Sequence, residues 1–290
     1  MTRTVIIVGA PRSGTNILRD VLTSVPGFAT WPCDEINLLW KHHNRDVPHD
    51  ELTLVHARPE VREYLQRRFD ALQRRYAAEW VVEKTCATSL RVGFASAVFP
   101  DAKFVFIRRD GLDAAASTIQ RWDAPLDVPY VARKLRFAPL TDLPFYAGQF
   151  VSKRLAGRSA RRDGETSASR QVTSWWGPKP HDFRELQSRH PLDELALIQW
   201  KRCVDLAHRE LSELPGAQVH EVVYEEFVRE PESILTRILD FVGSSATASA
   251  ETVRMVSPAS VGKGRAFLDD DATARLTALG RETLAPLGYA

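Results

Sequence analysis

The sequence predicts an α/β fold of three layers, in which a parallel β-sheet lies between two layers of helices. Short runs of β-branched and apolar residues are typical of buried parallel strands. Longer segments between them carry apolar residues at helical spacing. The two kinds of segment alternate along the chain, which favours right-handed β-α-β crossovers. The 290 residues suit a single domain of this class, spanning 1–290, with a helical or irregular insertion.

The elements follow in a regular order before and after one irregular region. The first half predicts strands at 4–8, 80–85 and 103–107, and helices at 15–23, 58–78, 90–99 and 113–122. The last hundred residues predict helices at 192–214, 232–242 and 271–284, and a strand at 218–224. The segment 123–191 interrupts this alternation with several prolines and scattered aromatic residues.

This segment, residues 123–191, is interpreted as an insertion that forms a lid over the acceptor site, because long irregular segments in compact domains are often binding loops. It contains a basic run, Lys153–Arg162. The run suits contact with an anionic acceptor, and a solvated loop is the alternative interpretation.

Composition limits the classes of function. The net charge of +2 is too small to indicate nucleic-acid binding. The three cysteines, Cys33, Cys86 and Cys203, are widely spaced, which argues against a disulfide framework and a zinc site. No apolar run is long enough to span a membrane or to form a signal peptide. We therefore expect a cytoplasmic protein without a metal, and a homodimer is left open.

A glycine loop follows the first predicted strand. Its sequence is Gly9-Ala10-Pro11-Arg12-Ser13-Gly14-Thr15-Asn16. Glycines let the backbone wrap an anion, and the next helix adds partial positive charge. Nucleoside triphosphate enzymes have lysine directly after the second glycine, whereas this chain has Thr15 there and a cation at Arg12. The loop therefore predicts a P-loop-like phosphate site that lacks the usual lysine for binding Mg-triphosphate. A simple tight turn is the alternative interpretation.

This loop resembles the 5′-phosphosulfate loop of sulfotransferases that use 3′-phosphoadenosine 5′-phosphosulfate (PAPS). The segment from Phe104 to Ser117 resembles the 3′-phosphate motif of that family, in which an arginine leaves a strand and a serine follows eight residues later on a helix. Arg109 and Ser117 have this spacing, and Arg108 is an alternative for the arginine. The family usually has proline where Gly111 stands and a basic residue where Leu112 stands.

The C-terminal third carries two further similarities to the family. The segment 223–232 resembles a Tyr-Glu-Asp-Leu stretch and is interpreted as structural. The segment 260–265 resembles the loop that closes over the 3′-phosphate, although the family often has an aromatic residue where Gly264 lies. The resemblance assigns nucleotide binding to Pro11, Arg12, Ser13, Gly14, Thr15, Asn16, Arg109, Ser117, Gly262, Lys263 and Gly264.

The resemblance also implies the catalytic residues. Arg12 and Lys84 would stabilise charge on the oxygen that bridges sulfur and phosphate, and Glu35 would be the general base. Lys84 as a surface lysine and Glu35 as a helix cap are the structural alternatives. Asp34 could replace Glu35 as the base. His42 and His43 are rival bases, for which a solvent-facing role is favoured.

The function implied is transfer of a sulfuryl group from PAPS to a hydroxyl or amine by in-line displacement, which leaves 3′,5′-adenosine bisphosphate (PAP). The acceptor is expected to be a small molecule, a glycolipid or a natural product. Paired Trp175 and Trp176 could stack on it, or could anchor the insertion, which is favoured. The alternatives are an ATP-dependent small-molecule kinase and a non-catalytic nucleotide-bisphosphate binder.

Overall fold

The computed structural model describes residues 2–122, 137, 139–142, 144, 145, 148 and 175–289. Within these residues a parallel sheet has the strand order β2-β3-β1-β4-β5. The strands are β1 (Arg3–Val8), β2 (Phe28–Ala29), β3 (Trp80–Lys84), β4 (Lys103–Arg108) and β5 (Val219–Val223). The predicted α/β class with a parallel sheet is confirmed. The edge strand β2 was not predicted, because two residues give no alternation to detect.

Helices cover both faces of the sheet. In chain order they are α1 (Thr15–Ser24), α2 (Asn37–Trp40), α3 (Pro59–Tyr76), α4 (Val92–Val98), α5 (Gly111–Trp122), α6 (Phe183–Arg189), α7 (Leu192–Ser212), α8 (Tyr224–Arg229), α9 (Pro231–Val242), α10 (Ala250–Arg254) and α11 (Asp270–Leu284). The helix predicted at 90–99 is shorter in the structure, where α4 spans Val92–Val98 and a 3-10 turn at Cys86–Leu90 precedes it.

Two hydrophobic cores lie on opposite faces of the sheet. Ile6 and Val8 of β1 join one core with helices α3, α4, α5, α7 and α11. Val5 and Ile7 join the other core with α1, α8 and α9. Successive side chains of a strand point to opposite faces, so every residue of this central run is buried. This accounts for its continuous apolar sequence.

The topology brings the functional loops to one edge. Strands β1 and β3 pair in parallel, with Arg3 opposite Trp80. Strand β4 pairs with β1 on the other side. The loop after β1, the turn after β3 and the start of α5 after β4 therefore meet at the carboxyl edge of the sheet. Ligands of open α/β sheets bind at this edge.

Across the described residues, no helix combines the length and the apolar character that a membrane crossing needs. The basic run Lys153–Arg162 lies outside the described residues, as does most of the insertion predicted at 123–191.

Candidate active site

A cavity of about 830 Å³ opens at the carboxyl edge of the sheet. Its walls come from the loop after β1, the segment before α2, the end of β3, helix α5 and residues 260–265, here called the C-terminal loop. The side chains and backbone that line it belong to Pro11, Arg12, Gly14, Thr15, Asn16, Ile17, Asp34, Glu35, Lys84, Cys86, Arg109, Asp113, Ser117, Thr118, Gln120, Arg121, Trp122, Trp176, Gly177, Gln199, Tyr224, Ser260, Lys263 and Gly264.

The glycine loop has a backbone shaped for an anion. Arg12 and Gly14 take positive φ angles of 64° and 88°. A Cβ on Gly14 would lie 2.3 Å from the ring of Tyr224, so both the angle and the space require glycine there. The first backbone hydrogen bond of α1 runs from Leu18 N to Gly14 O. The preceding N–H groups at this helix start have no intrahelical partner and are open to a ligand.

Two buried polar atoms beside the cavity also lack a partner. Ser13 Oγ and Arg109 Nε have no hydrogen-bond partner among the described residues. Buried polar groups are normally satisfied. The Ser13 hydroxyl and the Arg109 Nε–H are therefore donors without acceptors in the described part of the chain, as expected where an anionic ligand binds.

Arg12 crosses from the loop to helix α5. Its Nε donates a hydrogen bond of 2.9 Å to Ser117 Oγ. Burial, and then the positive charges of Arg109 and Arg121, lower the pKa of the Arg12 guanidinium below its ordinary value. Several cations therefore face one another in this cavity, and their mutual repulsion would be relieved by a bound anion.

Lys84 and Glu35 form an ion pair at the floor of the cavity. Lys84 Nζ lies 3.4 Å from Glu35 Oε1, and the side chain of Lys84 is 3% exposed. The same Glu35 oxygen accepts a hydrogen bond from the backbone N–H of Cys86 at 3.3 Å. Burial of Lys84 opposes its charge, but the nearby carboxylate of Glu35 offsets this effect, and the pKa of Lys84 is raised. Lys84 is therefore a buried cation and not a surface lysine.

Cys86 lies beside this pair as a neutral thiol. Burial raises its pKa to about 12, although the charge of Lys84 acts in the opposite direction. Its Sγ is 3.7 Å from Thr15 Oγ1. A thiol held protonated is a poor nucleophile and a poor base at neutral pH. Glu35 is thus the better proton acceptor of the two.

Of the two adjacent arginines at the end of β4, the structure places Arg109 in the cavity. Arg109 is 6% exposed and donates hydrogen bonds to Arg12 O at 2.9 Å and to Ser260 O at 2.6 Å. Its guanidinium lies over the ring of Tyr224, 4.6 Å from the centroid. Arg108 turns away, pairs with Glu221 and donates to Leu287 O.

Asp113 connects Arg109 to the C-terminal loop. Its carboxylate accepts hydrogen bonds from Gly262 N at 2.6 Å and from Arg265 N at 2.8 Å. Arg109 Nη2 completes the set at 3.3 Å. Asp113 thus holds the loop against α5. Gly262 serves this anchor and does not line the cavity, whereas Lys263 does.

Two departures from the sulfotransferase pattern have a steric explanation. A Cβ on Gly111 would lie 2.7 Å from the indole of Trp200, which fills the space that a larger residue would need. A Cβ on Gly264 would lie 2.5 Å from the Cα and the carbonyl oxygen of Asp113. The backbone at Gly264 packs directly on α5, so an aromatic side chain would require the C-terminal loop to lift away.

The histidines lie outside the cavity lining, whereas Asp34 belongs to it. The expected solvent-facing role is wrong for His42, because its Nδ1 is 2.8 Å from Asp142 Oδ2 and its side chain is 11% exposed. His43 is exposed. Asp34 is 3.5 Å from Arg19 Nη2. Of the proposed bases, only Glu35 is paired with Lys84.

The two tryptophans have different surroundings. Trp175 is buried, and its Nε1 donates to Pro178 O at 2.8 Å, so it anchors the segment as favoured from the sequence. Trp176 is 45% exposed and lines the cavity, which contradicts the anchoring interpretation for this residue. Neighbouring residues in an extended segment point in opposite directions.

Several cavity residues are not singled out by the sequence. Asp113 follows Arg109 by four residues, the spacing of a helical ion pair, so this signal was present. Tyr224 lies in a stretch interpreted only as structural. Arg121 is one turn beyond Ser117, but the motif that identifies Ser117 ends before it. Gln199 gives no signal, because it is one of many polar residues in the amphipathic helix α7. The described residues contain no group of three or more His, Cys, Asp or Glu side chains placed to hold a metal ion.

Known proteins share this fold. The chain is similar in structure to the sulfotransferase domain of the Synechococcus PCC 7002 olefin synthase, with 16% identity, a TM-score of 0.51, and coverage of 96% of this chain and 94% of that one. Sulfotransferase STF9 from Mycobacterium avium shows 16% identity, a TM-score of 0.52, and coverage of 98% and 76%. Mouse sulfotransferase SULT7A1, solved in complex with PAP, shows 14% identity, a TM-score of 0.50, and coverage of 98% and 85%.

At these identities the structural similarity shows a shared fold. No curated protein matches the chain. The family model described as "Sulfotransferase family" matches residues 4–136 and 159–248, well over half of the sequence. The chain therefore belongs to the sulfotransferase family.

Proposed function

We propose that this protein transfers a sulfuryl group from PAPS to a hydroxyl or amine of a small acceptor. One observation carries the proposal: Arg12, Lys84 and Glu35 face a single cavity whose other wall presents Arg109. Cations suited to an anionic donor and a carboxylate suited to remove a proton are thus within one space. The Lys84–Glu35 pair at the cavity therefore supports catalysis over non-catalytic binding.

The residues present fit both ends of the donor. The first N–H groups of α1, at the end of the glycine loop, have no intrahelical partner and are offered to the 5′-phosphosulfate. The orphaned Ser13 Oγ lies in the same loop. Arg109, Ser117 and Lys263 offer two cations and a hydroxyl to the 3′-phosphate. The unmet Arg109 Nε supports this assignment.

Each catalytic residue has one task. PAPS supplies a sulfuryl group whose bond to the 5′-phosphate oxygen breaks as the acceptor oxygen or nitrogen bonds to sulfur. Glu35 accepts the proton of the acceptor. Arg12 and Lys84 stabilise the negative charge that grows on the bridging oxygen, more strongly in the transition state than in the ground state. PAP and a sulfated acceptor leave.

The hydrogen bond between Arg12 and Ser117 suggests how the cation is held before reaction. Ser117 keeps the Arg12 guanidinium turned toward α5. When a 3′-phosphate takes the Ser117 hydroxyl, Arg12 is released toward the bridging oxygen. Donor binding at one end would then prepare the cation at the other end.

Calorimetric titration with PAP, with ATP-Mg as the control, tests the donor. We expect micromolar or tighter binding of PAP, clearly tighter than ATP-Mg, and weak binding after Arg109→Ala or Ser117→Ala. Tight binding of ATP-Mg without binding of PAP would instead favour a kinase. Transfer of radiolabelled sulfate from PAPS to a panel of hydroxyl and amine compounds tests the reaction, and PAP binding without any transfer would favour the non-catalytic binder.

A further inference from the structure

Helix α5 extends the cavity wall beyond the residues assigned to the donor. Asp113, Ser117 and Arg121 line the cavity from successive turns of one helical face. Residues four apart on an α-helix are separated by about 6 Å along its axis. Arg121 is therefore about 6 Å past Ser117 and about 12 Å past Asp113, on the side opposite the C-terminal loop.

Arg121 is a cation without a partner in the described part of the chain. No hydrogen bond or ion pair joins its guanidinium to another described residue. The carboxylates that line the same cavity are engaged elsewhere, since Glu35 pairs with Lys84, Asp34 pairs with Arg19 and Asp113 holds the C-terminal loop. The charge of Arg121 acts on Arg12 and helps to lower its pKa, so the two guanidinium groups share one electrostatic environment.

Trp176 presents an aromatic surface to the same cavity. The backbone of its segment is fixed, because Gln199 Nε2 donates to Trp176 O at 2.7 Å and to Pro178 O at 3.0 Å. Gly177 follows with a positive φ of 79°, and a Cβ there would lie 3.1 Å from Gln199. A rigid turn thus holds a half-exposed indole at the cavity wall, where a flat ring can stack on it.

The charges of the cavity leave Arg121 without a role toward the donor. The proposed function assigns Arg12 and Lys84 to the phosphosulfate, and Arg109 and Lys263 to the 3′-phosphate. Arg121 lies one turn past Ser117 along α5, toward the end of the helix that is farther from the C-terminal loop. We propose that the acceptor carries an anionic group bound by Arg121 and a flat ring packed on Trp176. This inference rests on the proposed function and adds the chemical class of its acceptor.

Three phenols that differ only in charge test this inference. They are 3-(4-hydroxyphenyl)propionate, which is anionic, its primary amide, which is neutral, and tyramine, which is cationic. Each is assayed for sulfate transfer from PAPS and for binding to the PAP-saturated protein. Because hydrogen bonds between an arginine and a carboxylate are charge-assisted, we expect the anion to exceed the amide by about tenfold in kcat/KM, with tyramine poorest.

Substitution of Arg121 shows whether this residue is the cause. In Arg121→Gln the preference for the anion should disappear, while PAP affinity stays within about threefold of the wild type. Arg121→Lys should keep part of the preference. Arg74→Gln, on an exposed turn of α3 outside the cavity, is the matched control and should retain all of it. Trp176→Ala should weaken the binding of all three phenols to a similar extent, and Trp176→Phe should restore this binding.

The outcomes separate this inference from the proposed function. Failure of the wild type to bind PAP contradicts the proposed function itself. Intact PAP binding with no preference for the anion, or with no binding or transfer of any of the three phenols, overturns the acceptor assignment alone. A loss of PAP affinity in Arg121→Gln equal to its loss of acceptor activity would assign Arg121 to the donor and would also overturn the inference.

Discussion

Lys84 Nζ lies 3.4 Å from Glu35 Oε1 at the floor of the cavity, and burial of the lysine makes this pair difficult to break. The cation of Lys84 thus lies beside the carboxylate that the proposed function assigns as the proton acceptor. The pair also fixes the direction of both side chains, together with the bond from Cys86 N. Base and cation are therefore positioned as one unit.

Glu35→Gln should lower kcat by about 10²- to 10⁴-fold, because the amide keeps the shape of the side chain but cannot take the proton of the acceptor. PAP affinity, measured by calorimetry, should change little. Asp34→Asn is the matched control, since Asp34 lines the same cavity but pairs with Arg19. A larger loss of kcat in Asp34→Asn than in Glu35→Gln would identify Asp34 as the base.

The pKa of Lys84 gives a prediction for stability against pH. Because this pKa is raised above the ordinary 10.5 in the folded protein, the folded state keeps its proton to higher pH than the unfolded chain does. The stabilisation is therefore fully present below about pH 10.5 and is lost as the pH rises through the folded-state pKa. The difference in free energy of unfolding between wild type and Lys84→Met should be constant from about pH 7 to 10 and should narrow above that.

Arg109→Ala should weaken PAP binding by about 10- to 150-fold, which corresponds to the loss of charge-assisted hydrogen bonds to a phosphate. Arg108→Ala should leave PAP affinity almost unchanged, because Arg108 pairs with Glu221 outside the cavity. Calorimetry on the two variants compares adjacent residues of identical type. An equal loss in both, or a larger loss in Arg108→Ala, would contradict the assignment of the 3′-phosphate to Arg109.

Asp113→Asn should release the C-terminal loop. The amide has a single acceptor oxygen in place of the two that now serve Gly262 N, Arg265 N and Arg109. We expect PAP to dissociate about tenfold faster in stopped-flow measurements. Asp240→Asn, an exposed position on α9, serves as the control. An unchanged dissociation rate in Asp113→Asn would show that the loop is held by other contacts.

Gly14→Ala should destabilise the protein by about 2–4 kcal/mol, the sum of a left-handed backbone cost and a clash with Tyr224. Gly243→Ala isolates the first of these contributions, since Gly243 has a similar φ of 77° and no atom lies within 4 Å of the position that a Cβ would take there. That control should lose only about 1 kcal/mol in denaturant unfolding. Equal losses in the two variants would mean that the Tyr224 contact is unimportant.

Much of the fold and part of the site followed from local sequence. Continuous apolar runs identified β1 and β4, because strands buried on both faces are mostly apolar. The shorter run Trp80–Val82 identified β3, although Glu83 and Lys84 at its end are also buried. The glycine loop and the spacing of Arg109 and Ser117 involve residues close together in the chain. A short sequence motif was therefore enough to predict them. The two-residue strand β2 could not be found in this way, since its pairing with β3 is set by the sheet and not by its own sequence.

The sequence by itself determined the class of fold, the phosphate loop and the set of candidate side chains, because these are encoded in short-range pattern and spacing. Only the tertiary structure decided which candidates share a cavity. It placed Arg109 inside and Arg108 outside, paired Lys84 with Glu35 across 49 positions of sequence, and separated Trp175 from Trp176. The physical reason is that parallel crossovers bring distant strand ends to one edge, where burial and charge pairing then select the orientation of each side chain.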